Sequence, residues 1–278
     1  MHEKTDKPIS AVAGLPGGVN FGTLVHSILE KNDPAAKDLK ADLLEKSSTA
    51  LNRLPIEGVD ADTLAAGLSQ VVTTGLGDLT EGFSLRDIGA KNRLAELEFE
   101  MSMGSERGYS TLKQLAGLFD DESLADPSGL LVGYGKQLAA TSAASSTLHG
   151  FLTGSIDAVL KVKDAFAVVD YKTNRIPLQG DEVLTADKYD SAGMEKIMRE
   201  SHYPLQALIY MVALHRFLSW RLPSYDPAKH VRGAGYLFVR GMVGQSSTES
   251  DMHYGVFTWR PNPEIAVRAS EIISGAQL

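Results

Sequence analysis

Residues 152–174 read LTGSIDAVLKVKDAFAVVDYKTN, and the reading of this stretch decides the architecture. Upstream and into it, from Gly150 to Val162, apolar Phe151, Ile156, Val159 and Val162 sit among polar Ser155, Asp157 and Lys161. Such alternation suits a strand buried on one face. Ala165 to Asp170 is a second run, apolar and rich in β-formers. Between the two, Lys163 and Asp164 fit a two-residue turn, although a less favourable pair than Asn-Gly or Asp-Gly. With the turn centred there, positions whose numbers sum to 327 face each other across an antiparallel pair, and Asp157 falls opposite Asp170. Side chains alternate with period two, so Asp170 and Lys172 share a face. A bulge would shift this register by one residue.

Directly opposed residues bring their Cβ atoms to about 4.5–5.5 Å, where two carboxylates repel. A divalent cation converts that repulsion into chelation. Mg²⁺ suits the set, because it takes oxygen donors, keeps several waters and uses one or two carboxylates beside phosphate oxygens. The plainer reading is a solvated hairpin whose aspartates face water. Against it, Val168 and Val169 run straight into Asp170, Lys172 follows at same-face spacing, and a second aspartate lies opposite. A third segment, YPLQALIY at 203–210, sets Gln206 and Tyr210 four apart, on one face of a helix.

At these residues the chain resembles the RecB-family nucleases, a branch of the restriction-endonuclease-like fold. Their pattern of G-x-I-D, D-x-K and Q-x-x-x-Y is matched by Gly154–Asp157, Asp170–Lys172 and Gln206–Tyr210. GTLVHSILE at 22–30, RLAELEF at 93–99 and GAGYLFVRGM at 233–242 narrow the likeness to the nuclease domain that ends RecB-type helicase–nuclease subunits. The resemblance covers the chain from about Gly22 to Pro261. It implies an α/β fold, a restriction-endonuclease-like core of central mixed sheet flanked by helices, with an N-terminal helical extension. It implies a metal-dependent deoxyribonuclease of the exodeoxyribonuclease V type, serving double-strand-break repair, recombination and degradation of foreign DNA. Its substrate would be DNA, chiefly single strands unwound by an attached helicase.

The resemblance also implies roles. Asp157, Asp170 and the backbone carbonyl of Tyr171 would bind Mg²⁺, with Mn²⁺ as an alternative. His26 would be a further ligand. Lys172 would orient the attacking water and stabilise phosphate charge, while Gln206 and Tyr210 would line the site. Partners would be a RecB helicase portion and RecC- and RecD-like subunits, with RecA a further candidate. Two other readings stand beside this one: a catalytically silent nuclease-like docking module, and a standalone phage or repair nuclease of the same family. The intact Asp/Asp/Lys/Gln/Tyr set argues against the silent module.

Outside the motifs, His26 falls off the apolar stripe of Phe21, Leu24, Val25, Ile28 and Leu29 and lies beside Glu30, so from periodicity alone it reads as a surface residue. Imidazole is also a poor first choice for Mg²⁺. Glu96, Glu98 and Glu100 alternate with Leu97, Phe99 and Met101 along a half-buried strand; Glu98 is the candidate for an additional carboxylate near the metal. His149, His202, His215, His230 and His253 have no ligand-like spacing, and Arg175 and Arg199 are weak candidates for phosphate contacts. Gly133 to Gln137 looks like the end of a P-loop, but Leu130 replaces the required glycine and Gln137 the Ser or Thr, so no ATP site is expected.

The 278 residues suffice for one large or two small domains. No stretch approaches a membrane span and no signal-peptide layout opens the chain, so a cytoplasmic location and no membrane partner are expected. The absence of cysteine excludes a cysteine-held iron–sulfur cluster. A net charge of −8 argues against a freestanding, tight DNA binder and suits a catalytic module to which DNA is delivered. Residues 1–20 read as a linker or tail and 21–278 as the nuclease domain, with 21–90 helical and 91–278 the catalytic core. Helices are expected to about Leu79, interrupted near Pro55–Gly58, then over 110–119, 193–220 and 264–274; Ser84 caps a short one. Residues 120–149 and 178–192 read as loop-prone, and 235–239 and 254–258 as strands.

Overall fold

The computed structural model describes residues 7–104, 109–178, 182–244 and 254–275; His253 lies outside them. The elements follow in chain order: α1 (Val19–Lys31), α2 (Leu39–Arg53), α3 (Ala61–Thr73), α4 (Leu85–Ile88), β1 (Arg93–Met103), β2 (Ser110–Thr111), α5 (Leu112–Leu118), α6 (Tyr134–Ala139), β3 (Thr147–Leu148), β4 (Gly150–Val162), β5 (Ala165–Lys172), α7 (Ser191–Glu200), α8 (Tyr203–Arg221), α9 (Pro227–His230), β6 (Val231–Phe238), β7 (Val256–Trp259) and α10 (Glu264–Ile273). Five strands form a mixed sheet in the order β1-β4-β5-β6-β7, with helices before and after the strands in sequence. This is the architecture expected from the sequence. No helix among the described residues is long and apolar enough to cross a membrane.

The chain divides into two compact units, with the division falling inside β1, β5, α7, β6 and β7. One comprises Met1–Ala95, Val169–Met194 and Gly235–Thr258; the other comprises Glu96–Val168, Glu195–Ala234 and Trp259–Leu278.

In the first unit, the helices follow from local chemistry. Phe21, Leu24, Val25, Ile28 and Leu29 form the buried stripe of α1, each burial contributing about 1.5–3 kcal/mol. Asp38 and Asp60 cap α2 and α3 by accepting from the backbone N–H of Ala41 and Thr63. Ser84 caps α4 in a full capping box with Asp87, as the sequence suggests. Ser10, Val12, Ala13 and Leu15, within the stretch read as linker or tail, are buried. Their anchor is Arg240, which is fully buried. It donates to the carbonyls of Val12 (2.8 Å), Ala13 (3.2 Å), Leu15 (2.9 Å), Pro16 (2.7 Å) and Thr173 (3.0 Å), and lies 4.7 Å from the centre of the Phe21 ring. A buried guanidinium is tolerated when its fork of N–H donors is satisfied, and five carbonyls do that here.

In the second unit, the expected helix over 193–220 is two helices. His202 takes φ 53°, in the left-handed region, and Pro204 occupies the first turn of α8, where its missing N–H costs nothing. β4 and β5 meet at a turn of Lys163 and Asp164, as expected, and Lys163 supplies the positive φ of 56°. α5 opens on a capping box between Thr111 and Gln114, and α6 and β3 fall in the stretch read as loop-prone.

Candidate active site

In the first unit the D-x-K segment closes β5. Ala167, Val168 and Val169, which precede it, are buried, and Asp170 is only 3 % exposed. Burial of a lone carboxylate is costly, and Lys172 offsets it: its Nζ lies 2.7 Å from Asp170 Oδ2, with the lysine side chain 12 % exposed. The same ammonium stands 5.2 Å from the centre of the Tyr236 ring on β6, a cation–π contact. Alternation turns the Tyr171 ring away from Asp170 and Lys172. That ring meets His26 of α1 edge-on, with 6.1 Å between centroids.

Beyond Lys172 the backbone is held on all sides. Val239 N–H donates to the Lys172 carbonyl (3.0 Å), and Arg240 to that of Thr173. Tyr189 is fully buried and donates its hydroxyl to the Asn174 carbonyl at 2.8 Å. Burial pushes the Tyr189 phenol up to about 12, so it remains a donor at any neutral pH. Leu184, Thr185, Ala186 and Tyr189, within the stretch read as loop-prone, are buried. A Cβ on Gly22 would stand 3.4 Å from Thr173 Oγ1, so α1 approaches the strand end closely.

In the second unit, Asp157 is half-buried on β4, between Ile156 and Ala158, which are buried. Gly154 of the same strand has a packing reason. A Cβ there would come within 2.7 Å of the Phe99 ring, which lies over the glycine. Phe99 in turn meets Tyr210 edge-on at 6.0 Å between centroids. Gln206 Nε2 donates to Tyr210 Oη at 2.9 Å, so the expected i, i+4 pair on α8 is made. Glu98 is exposed and lines an open cavity of about 520 Å³ with Phe99, Glu100 and Thr153–Ser155.

The structure therefore gathers Asp170, Tyr171, Lys172 and His26 in one unit and Gln206 with Tyr210 in the other, where Asp157 and Glu98 also lie. Sequence reading missed Tyr236, Phe99 and Arg240. Gly154 offered the one local signal, because a glycine inside a strand marks a close approach by a neighbour. The weaker candidates have other occupations. Arg199 pairs with Glu195 at 2.7 Å, His202 Nδ1 lies 3.2 Å from the Tyr134 hydroxyl, and His215 Nδ1 lies 2.8 Å from that of Tyr225.

Among the described residues no three His, Asp or Glu side chains gather into a metal-binding group. Mg²⁺ does not require one, since one or two carboxylates, backbone carbonyls and water suffice. The buried Asp170 carboxylate and the Tyr171 carbonyl beside it are hard oxygen donors of that kind, and the donor set fits a divalent ion.

A family model described as the PD-(D/E)XK nuclease superfamily matches residues 12–263. The chain is 43 % identical over 276 residues to the RecBCD enzyme subunit RecB of Mycolicibacterium smegmatis, covering 98 % of the chain and 25 % of that protein. It is 39 % identical over 287 residues to the protein of the same description from Mycobacterium tuberculosis H37Rv, covering 97 % and 25 %. To that from Escherichia coli K12 it is 26 % identical over 276 residues, covering 98 % and 20 %. The chain thus spans about a quarter or less of the length of these relatives.

Proposed function

The chain belongs to the PD-(D/E)XK nuclease superfamily, and from that premise we propose that it is a divalent-metal-dependent deoxyribonuclease, the RecB-type nuclease module of a helicase–nuclease. The observation that carries this reading is the buried Asp170–Lys172 pair at 2.7 Å, at the end of an apolar strand. An ion pair of this kind adds little net stability, so chemistry is the better reason for its presence.

Asp157, Asp170 and the Tyr171 carbonyl would hold the ion, with His26 as a further candidate ligand. The chemistry a divalent ion supplies is acidification of water and neutralisation of phosphate charge. Lys172 contributes independently. An ammonium has three N–H donors, so one can remain on Asp170 while another meets a phosphate oxygen or orients the attacking water. Hydrolysis forms a bond from water oxygen to phosphorus and breaks the phosphodiester P–O bond. Gln206 and Tyr210, locked to each other and backed by Phe99, would present a fixed polar surface to substrate.

Mg²⁺ as the ion, preference for single strands, exodeoxyribonuclease V activity and service in recombinational repair and foreign-DNA degradation belong to this proposal. So do RecC- and RecD-like partners, RecA and a cytoplasmic location. Support comes from the intact motif set and from relatives described as RecBCD enzyme subunits. The test is gel-based degradation of single-stranded DNA in Mg²⁺ by wild type and Asp170→Ala. Cleavage by the variant at the wild-type rate would sink the assignment.

A further inference from the structure

The net charge of −8 poses a question that the catalytic residues do not answer: where would an acidic chain hold a polyanion? Within the first unit, α1 and α2 enclose a groove of about 210 Å³. Lys31, Lys46 and Arg53 line it, together with the hydroxyl residues Thr23, Ser27 and Thr49. Three cations in one small groove are conspicuous in a chain with 35 acidic and 27 basic residues.

The cations are not equivalent. Lys46 is engaged on its own helix, 3.8 Å from Asp42 and 3.3 Å from Glu45. Lys31 and Arg53 are exposed and make no ion pair among the described residues. Ser27 spends its proton on the Leu24 carbonyl at 2.9 Å, which leaves Thr23 and Thr49 as hydroxyl donors. The free chemistry of the groove is thus two unpaired cations and two hydroxyls, a set rich in donors and without a carboxylate among its lining residues. Lys31 and Arg53 also complement the C-terminal dipoles of their helices, but that role does not require a shared groove.

Helical geometry ties the groove to the D-x-K segment. Gly22 and His26 face the strand end at Thr173 and Tyr171. Thr23, Ser27 and Lys31 form the next stripe, about 100° round the same helix. A strand leaving the neighbourhood of Lys172 along α1 would pass from one stripe to the other.

We propose that the α1–α2 groove binds the phosphodiester backbone of a nucleic acid strand, through Lys31 and Arg53 with Thr23 and Thr49. The inference rests on the nuclease reading for the identity of the ligand. Its test is binding of a fluorescein-labelled oligodeoxythymidylate, followed by anisotropy in EDTA so that no cleavage occurs, over a range of salt. The doubly substituted Lys31→Gln/Arg53→Gln chain, with wild-type circular dichroism, should bind more weakly. Its slope of log K against log salt should be shallower by about 1.4, about 0.7 for each cation removed. Affinity and slope equal to wild type would overturn the proposal. So would displacement of the labelled strand by polyglutamate as readily as by unlabelled DNA, which would give the groove to an acidic polypeptide. The nuclease reading fails separately: Asp170→Ala should bind with the wild-type slope and not cleave, and cleavage by it leaves the groove result standing.

Discussion

Two strands of this protein carry alternating charge, and they put it to opposite use. β1 reads R-L-A-E-L-E-F-E-M, and its Glu96, Glu98 and Glu100 are all exposed over half-buried neighbours. β5 ends in D-Y-K, and there Asp170 is sealed beneath Lys172 and Tyr236. The carboxylates of β1 are solvated and free to fluctuate. That of β5 is desolvated and paired, and the backbone beyond it is held by hydrogen bonds to the carbonyls of Lys172, Thr173 and Asn174. A carboxylate held out of water in one orientation is prepared to bind a cation, because reorganisation and dehydration have already been met by folding. Charged residues at the same alternate spacing thus differ in environment through burial and pairing.

The contrast can be broken or sharpened by substitution. Asp170→Ala should lower the rate of DNA cleavage in Mg²⁺ by about 10³-fold, measured as initial rates on a single-stranded oligonucleotide. A loss of less than tenfold would place the chemistry elsewhere. Arg240→Met should destabilise the chain by about 3 kcal/mol or more, since the carbonyls of Val12, Ala13, Leu15, Pro16 and Thr173 would all lose the donor that Arg240 supplies, three of them in buried residues; urea unfolding monitors this. A loss below about 1 kcal/mol would mean that water or a neighbour replaces the guanidinium.

Gly154→Ala should cost about 1–3 kcal/mol by driving a methyl into the Phe99 ring. Phe99→Leu in the same background should recover part of it, and absence of coupling between the two would refute the contact. In EDTA, Asp157→Asn should leave the melting temperature unchanged or raise it slightly, because carboxylates proposed to share an ion repel one another when it is removed. A clear drop would speak against that shared role. Smallest of all, Glu98→Gln should alter stability by less than about 0.5 kcal/mol and leave the cleavage rate near that of wild type. A large rate loss would bring β1 into the site as a contributor to the metal environment.

The hairpin was legible from the chain because its signals are local. The turn at Lys163–Asp164, the alternation of β4 and the apolar run of β5 need only neighbours a few residues away. The Gln206–Tyr210 bond is local too, one helical turn in length. The break between α7 and α8 was less visible, since apolar spacing continues across it and only Pro204 marks it. Tyr236 beside Lys172, and Arg240 reaching back to Val12, are separated from their partners by 64 and 228 positions, and no pattern in the chain signals such pairings.

The sequence by itself determined which residues share a strand face or a helix face, since periods of two and 3.6 are properties of the backbone. It thereby determined the chemistry on offer: two aspartates, a lysine and a glutamine–tyrosine pair. Only the tertiary structure decided that Asp170 is buried and Glu98 exposed, that Lys172 lies over Tyr236, and that residues 10–16 are fastened to the end of β5 by one arginine. Burial and pairing are sums over contacts made by distant segments, and no local stretch of chain contains them.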